Sequence, residues 1–268
     1  MTIITGTTRL FAIIGDPVAP LRSPALFNAA FARLGRDAVF IPLHVSAGSL
    51  ETVWAGLIRL ENLDGLVVTM PHKETILPFL KSLGPTARLT GTVNTVRRCS
   101  DGSWEGDMFD GEGFRDGLER AGHAPHGKRI MQIGCGAAGR AIAYALARVG
   151  ARQLSLQDVD TDRVERLSQR LRENWPLITV STSGEPIEAQ DIVVNATPMG
   201  LSAHDPMPVD PSKLRPWQIV ADVIPNPEIT PLIEAARQLG CQTVTGRAMH
   251  EGQARLAASY LGIDGWDD

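Results

Sequence analysis

Two short stretches of this chain carry residue types that do chemistry. In IMQIGCGAAGRA, Gly134, Gly136 and Gly139 form a complete G-x-G-x-x-G between an apolar strand and an alanine-rich helix. The first glycine permits a tight turn. The second lets backbone approach a pyrophosphate, and the third lets the helix sit close to the strand. The helix N-terminus then offers unpaired N–H groups and partial positive charge to phosphates. The cofactor contacts expected here are Gly134, Cys135, Gly136, Ala137, Ala138 and Gly139. The next strand ends on Asp158, roughly 20 residues beyond the glycines, where an acid binds the adenosine ribose diol of NAD. A 2′-phosphate would meet Asp158 and Asp160, so the spacing predicts NAD in preference to NADP.

The second stretch is VVTMPHK, Val67 to Lys73. An apolar strand stops at Pro71 and is followed at once by a lysine. In an open parallel sheet, ligands bind beyond the carboxyl ends of the strands. Pro71 stiffens the turn, so the ammonium of Lys73 is presented at a defined place. A solvated lysine opening a helix is the commoner fate. Helix preference does not explain it, because a cation at a helix N-terminus is slightly unfavourable. His72 is read as a neighbour able to tune Lys73, or more simply as a capping or surface residue.

The elements that must position these residues alternate along the chain. Strands are expected over 9–15, 38–45 and 63–70, with helices over 23–35, 47–60 and 73–84. Ser23 is the expected N-cap of the first helix, with Pro24 at its first position. A hairpin around Asp101-Gly102 and a connecting helix over 111–122 follow. Strand and helix then alternate again to a last helix near the C-terminus. This pattern predicts an α/β chain with mainly parallel sheets.

Composition narrows the class. The 268 residues carry a net charge of −4 and only 5% aromatics, which argues against a dedicated nucleic-acid binder. Three scattered cysteines, Cys99, Cys135 and Cys241, form neither a disulfide framework nor a zinc motif. His123 and His126 form an H-x-x-H without a nearby acid or cysteine, so no metal is expected. No signal peptide or membrane span is read, and a cytoplasmic enzyme is the expectation.

GDPVAPLRSPALFNAAF, GLVVTMPHK, TGTVNTV, GDMFDGEGF, IGCGAAGRA, DIVVNATPMG and GRAMHEGQA follow one another in the order of the shikimate dehydrogenase family, which the chain resembles over nearly its whole length. The resemblance implies an α/β substrate-binding domain over 1–109, completed by the C-terminal helix 247–268. It implies a Rossmann-type domain over 110–246, with an active-site cleft between the two. It implies Lys73 and Asp110 as the catalytic pair. Ser23, Thr69, Asn94 and Gln253 match substrate contacts, and Asn195, Thr197 and Met249 match cofactor contacts. The implied reaction is reversible hydride transfer between nicotinamide and a ring carbon of a cyclic hydroxy acid. Alkoxide character in that step needs a nearby proton donor, a role suited to Lys73. The expected form is a monomer or homodimer.

Several positions depart from the family pattern. Leu21, Val67, Met108-Phe109 and Pro225 stand where serine, asparagine, Asn-Thr and tyrosine are usual. Leu21 and Pro225 replace hydroxyls that hold the substrate carboxylate, and Arg22 is the expected compensation. Quinate and an amino analogue of shikimate are therefore alternative substrates. A dehydrogenase of an unrelated substrate, such as a folate derivative, and a non-catalytic NAD-binding regulator are the readings from other classes.

Overall fold

The structure is a computed structural model that describes residues 3–202 and 204–266. It divides into two compact units. One comprises Met1–Phe109 with Ala254–Asp268, and the other comprises Asp110–Gln253.

The first unit contains strands β1 (Arg9–Gly15), β2 (Ala38–His44), β3 (Leu63–Val68), β4 (Ser82–Leu83), β5 (Thr95–Arg98) and β6 (Trp104–Asp107). Its helices are α1 (Ser23–Arg33), α2 (Leu50–Leu57), α3 (His72–Thr75) and α4 (Pro85–Thr90). The sheet order is β2-β1-β3-β5-β6-β4. Strands β2, β1 and β3 are parallel, and β5 returns antiparallel to both β3 and β6. Successive residues of β1 and β3 face opposite sides, as the two-residue period requires. Ala12, Ile14, Leu66 and Val68 enter one apolar cluster with Trp54 and Trp104. Phe11, Ile13 and Val67 enter another with Phe27, Phe31 and Phe40. The rings of Phe27 and Phe40 stack with centroids 4.5 Å apart.

Two expectations fail in this unit. The helix predicted over 73–84 is a single turn, α3, followed by a 3₁₀ turn over Leu77–Phe79 and extended backbone at Leu80. Pro78 has no N–H to continue the helix and disfavours helical geometry at the residue before it. Ser23 is not the N-cap: that position falls on Arg22, without a side-chain cap, and Ser23 is buried in the first turn. Helix α4 was not foreseen, although Pro85 at its start and Gly91 at φ +65° past its end are ordinary boundary signals.

The second unit contains α5 (Asp110–Arg120), β7 (Arg129–Ile133), α6 (Ala137–Arg148), β8 (Gln153–Gln157), α7 (Thr161–Asn174), β9 (Thr179–Ser181), β10 (Ile192–Asn195), β11 (Ile219–Asp222), α8 (Pro231–Gln238), β12 (Gln242–Val244) and the start of α9 (Gly246–Tyr260). All six strands are parallel in the order β12-β11-β10-β7-β8-β9. This is the doubly wound order, whose switch point lies between β7 and β10. Strands β10 and β11 are buried throughout, which explains their unbroken apolar runs.

Candidate active site

In the first unit, the carboxyl ends of β1 and β3 and the amino end of the antiparallel β5 are tied by backbone hydrogen bonds. Thr69 N–H donates to Ile14 O at 2.9 Å, and Val68 N–H to Asn94 O at 2.7 Å. Val93 N–H donates to the carbonyl of Lys73 at 2.8 Å. Thr69, Lys73 and Asn94 are thereby held in one frame. The methyl of Thr69 lies against Gly15, where any Cβ would collide with it. Asn94 is buried, and its Oδ1 accepts from Phe109 N–H at 3.0 Å and from Thr95 Oγ1 at 3.1 Å. His72 is fully buried, and its Nε2 bonds the carbonyl of Val45 at 2.6 Å, so it is neither a surface residue nor a helix cap.

The departures from the family pattern have structural partners here. Leu21 packs against the cluster that contains Val67, Phe27 and Ala254. Met108 is wholly buried, and the Phe109 ring lies 5.2 Å from that of Tyr260. Arg22 is exposed and, among the described residues, makes no side-chain hydrogen bond or ion pair.

In the second unit, the glycine turn fits a dinucleotide. Gly134 has φ +102°, and a Cβ there would lie 2.6 Å from Ala196 O. A Cβ on Gly139 would strike the carbonyl of Gly134. Gly136, the N-cap of α6, has no atom within 4 Å of a built Cβ and receives no side-chain cap. Two glycines therefore close the turn, while the middle one keeps a space open at an uncapped helix N-terminus. Ala137 and Ala138 form the half-buried first turn beside it. The Cys135 thiol is buried, and desolvation, reinforced by Asp158, pushes its pKa up to about 12, so it is no nucleophile.

Asp158 is engaged by the turn itself. Its Oδ2 accepts from Cys135 N–H at 2.6 Å, and its Oδ1 accepts from Asp160 N–H at 3.0 Å. Asp160 in turn caps α7 by accepting from Arg163 N–H, and its carboxylate lies 3.1 Å from Arg163 Nε. The sequence reading noted the acids and passed over this arginine, five positions past Asp158.

Helix α5 carries Asp110 at its buried start and crosses two helices through glycines. A Cβ on Gly111 would enter the Ala141 carbonyl of α6. A Cβ on Gly113 would lie 2.5 Å from Gln253 N, and one on Gly117 would lie 2.9 Å from Ala248 C. The Gly113 approach sets Gln253 about one turn of α5 from Asp110. Gly113→Ala is expected to push α9 away, costing roughly 1–3 kcal/mol in a denaturant titration.

Asn195 is fully buried at the end of β10. Its Nδ2 donates to Met199 O at 3.0 Å and to the Asp222 carboxylate at 3.2 Å. Its Oδ1 accepts from Thr197 N–H and Oγ1. What Asn195 contributes is the shape of the loop, with half-buried Thr197 at its turn. Met249 is buried in α9. Sequence reasoning missed Asp222, whose Oδ2 accepts from Thr230 Oγ1 at 2.8 Å and whose Oδ1 accepts from Ile224 N–H at 3.0 Å. The available signal was an acid ending the apolar strand VAD. Burial pushes the Asp222 pKa up, and these donors oppose the shift. Asp222→Asn replaces an acceptor with an amide that faces Asn195 and Thr230. A loss of about 1–3 kcal/mol is expected from thermal unfolding.

The family model described as the shikimate dehydrogenase substrate binding domain matches residues 13–96. A curated relative from Rubrobacter xylanophilus, named shikimate dehydrogenase (NADP(+)), is 39% identical over 97% of this chain and 93% of its own. The chain belongs to the shikimate dehydrogenase family. It is an oxidoreductase of that family, and its second unit has the Rossmann-type fold. The solved shikimate 5-dehydrogenase of Listeria monocytogenes, in complex with shikimate and NAD, superposes with a TM-score of 0.88 at 32% identity, covering 98% of this chain and 96% of that one. The quinate dehydrogenase of Corynebacterium glutamicum, in complex with NAD, gives a TM-score of 0.85 at 33% identity, covering 95% and 93%.

The comparison corrects the cofactor expectation. The Rubrobacter protein and further shikimate dehydrogenase family relatives at 33–37% identity are all named for NADP(+), which overturns the preference for NAD read from Asp158. The physical reason lies in the turn. Asp158 is occupied in capping Cys135 and Asp160, so its presence does not by itself imply a ribose contact. Among the described residues no helix is long and apolar enough to cross a membrane.

Proposed function

We propose that this protein catalyses the reversible, NADP-linked oxidation of shikimate to its 3-dehydro ketone, with Lys73 and Asp110 as the proton-handling pair. The observation that carries the reading is the frame at the ends of β1, β3 and β5, which holds Thr69, Lys73 and Asn94 by backbone bonds. A rigid frame suits a proton donor, because its position relative to the reacting atom governs its efficiency. The nicotinamide, when bound, supplies the hydride acceptor, and the glycine turn with its open Gly136 fits the pyrophosphate.

In the oxidation direction, Lys73 as the neutral amine takes the proton of the ring hydroxyl as the hydride leaves the same carbon, and becomes the ammonium. In the reverse direction, it returns that proton to the developing alkoxide. Asp110 orients the ammonium and the hydroxyl. Ser23, Thr69, Asn94 and Gln253 contact the substrate's polar groups, and Arg22 takes its carboxylate. Ser23 and Arg22 sit at the start of α1, where Leu21 is turned into the apolar cluster and brings no hydroxyl. Arg163, in the first turn of α7, is the cation we assign to the 2′-phosphate. Quinate is the second reading, supported by the similarity to the Corynebacterium quinate dehydrogenase.

Arg163→Ala tests the cofactor assignment. Loss of a charge-assisted contact of roughly 1.5–3 kcal/mol should raise KM for NADP by at least about tenfold. KM for NAD should change little. Equal changes for both cofactors would contradict the assignment, and so would a higher kcat/KM with NAD in the parent protein.

A further inference from the structure

We infer that His72 is a positioning residue for Lys73, acting through its bond to the carbonyl of Val45. The inference rests on the proposed role of Lys73 and adds a residue that neither the motif nor the comparisons assign.

Helix α3 spans only His72–Thr75, a single turn. One turn fixes several backbone dihedrals for one hydrogen bond and has no stability of its own. Its orientation must come from outside. The Lys73 carbonyl is bonded from one side by Val93 N–H, and Ile76 is fully buried below. Neither contact fixes the end of the turn that follows Pro71. His72 does so. Its Nε2 lies 2.6 Å from Val45 O, a residue 27 positions earlier in the chain. Val45 N–H in turn donates to Gly15 O at 3.0 Å, and His72 N–H donates to Thr69 O at 2.9 Å. The ring thus ties the helix that carries Lys73 to the ends of β1 and β2.

A carbonyl only accepts, so Nε2 is the donor of this bond. Nδ1 is buried and, among the described residues, has no hydrogen-bond partner. A buried unsatisfied nitrogen is costly. An apolar residue would fill this space at less cost, so the imidazole is explained by the donor it supplies. The ring is wholly buried and bonded to backbone, which also separates it from the chemistry. It acts through the lysine.

The test compares two amides. The Nε2 of glutamine reaches about as far as the imidazole Nε2, whereas the Nδ2 of asparagine stops near the position of Nδ1. His72→Gln is expected to keep kcat within about threefold of the parent. His72→Asn is expected to lower kcat by about ten- to a hundredfold with KM for shikimate changed less than about threefold, as for a displaced catalytic group. The solvent deuterium isotope effect on kcat should rise in the asparagine variant only, because proton transfer becomes limiting. All rates are taken per folded molecule, with circular dichroism as the check. If the two variants share the same kcat, high or low, or if the isotope effect stays at the parent value in both, the inference is overturned and His72 is a packing residue. Lys73→Ala run alongside separates this failure from that of the proposed function. Full activity there removes the role of Lys73 whatever His72 does.

Discussion

Lys73→Ala is expected to lower kcat by roughly 10²–10⁴-fold, the usual range for removing a general acid or base. KM for shikimate should move much less, because the lost interaction belongs to the transition state. The fold should survive. Lys73 is half-buried, and its anchoring bond is made by its backbone carbonyl, which alanine keeps. Asp110→Asn should cause a similar loss and also raise KM if the carboxylate holds the substrate hydroxyl. Steady-state kinetics with an unfolding curve for each variant checks both. A Lys73→Ala enzyme with near-parental kcat would leave the lysine without a chemical role.

The second large effect is a contrast within the glycine turn. Gly136→Val should leave the melting temperature nearly unchanged, since nothing lies within 4 Å of a Cβ there and the backbone is extended. The added methyls would occupy the space proposed for the pyrophosphate. Losing even one or two charge-assisted phosphate contacts, at roughly 1.5–3 kcal/mol each, weakens cofactor binding by about a hundredfold. Gly139→Ala should behave in the opposite way. Its Cβ would strike the Gly134 carbonyl, which is backbone and cannot rotate aside. A stability loss of roughly 1–3 kcal/mol is expected with any binding defect secondary to it. Fluorescence titration with the reduced cofactor and thermal denaturation distinguish the two. Unimpaired binding in Gly136→Val would remove the turn from the cofactor site.

These contrasts also show how much the sequence disclosed. Strand β1 and the glycine turn were legible because unbroken apolar runs and glycine spacing are local signals. The hairpin of β5 and β6 was legible from Asp101-Gly102. The extent of α3 was overestimated because apolar spacing over 73–84 outweighed Pro78, which in the structure ends the helix. At the site, residue types pointed to Lys73 and the glycines. The state of each side chain did not follow from type. Asp158 looks the same in a sequence whether it faces a ribose or caps Cys135, and only the fold distinguishes them. Asn195 and Asp222 are 27 residues apart and meet only because β10 and β11 pair in register. His72 reaches a partner 27 residues earlier because β2 and β3 flank β1. Non-local pairings of this kind are set by topology, which local patterns specify only indirectly.

The most direct measurement is the initial rate of reduced-nicotinamide formation by the purified protein, with shikimate and NADP⁺ against shikimate with NAD⁺ and quinate with either cofactor. Shikimate-dependent turnover with NADP⁺ is expected to exceed every other pair in kcat/KM and to be lost in Lys73→Ala. No turnover of shikimate with either cofactor, or turnover that persists in Lys73→Ala, would contradict the proposed function.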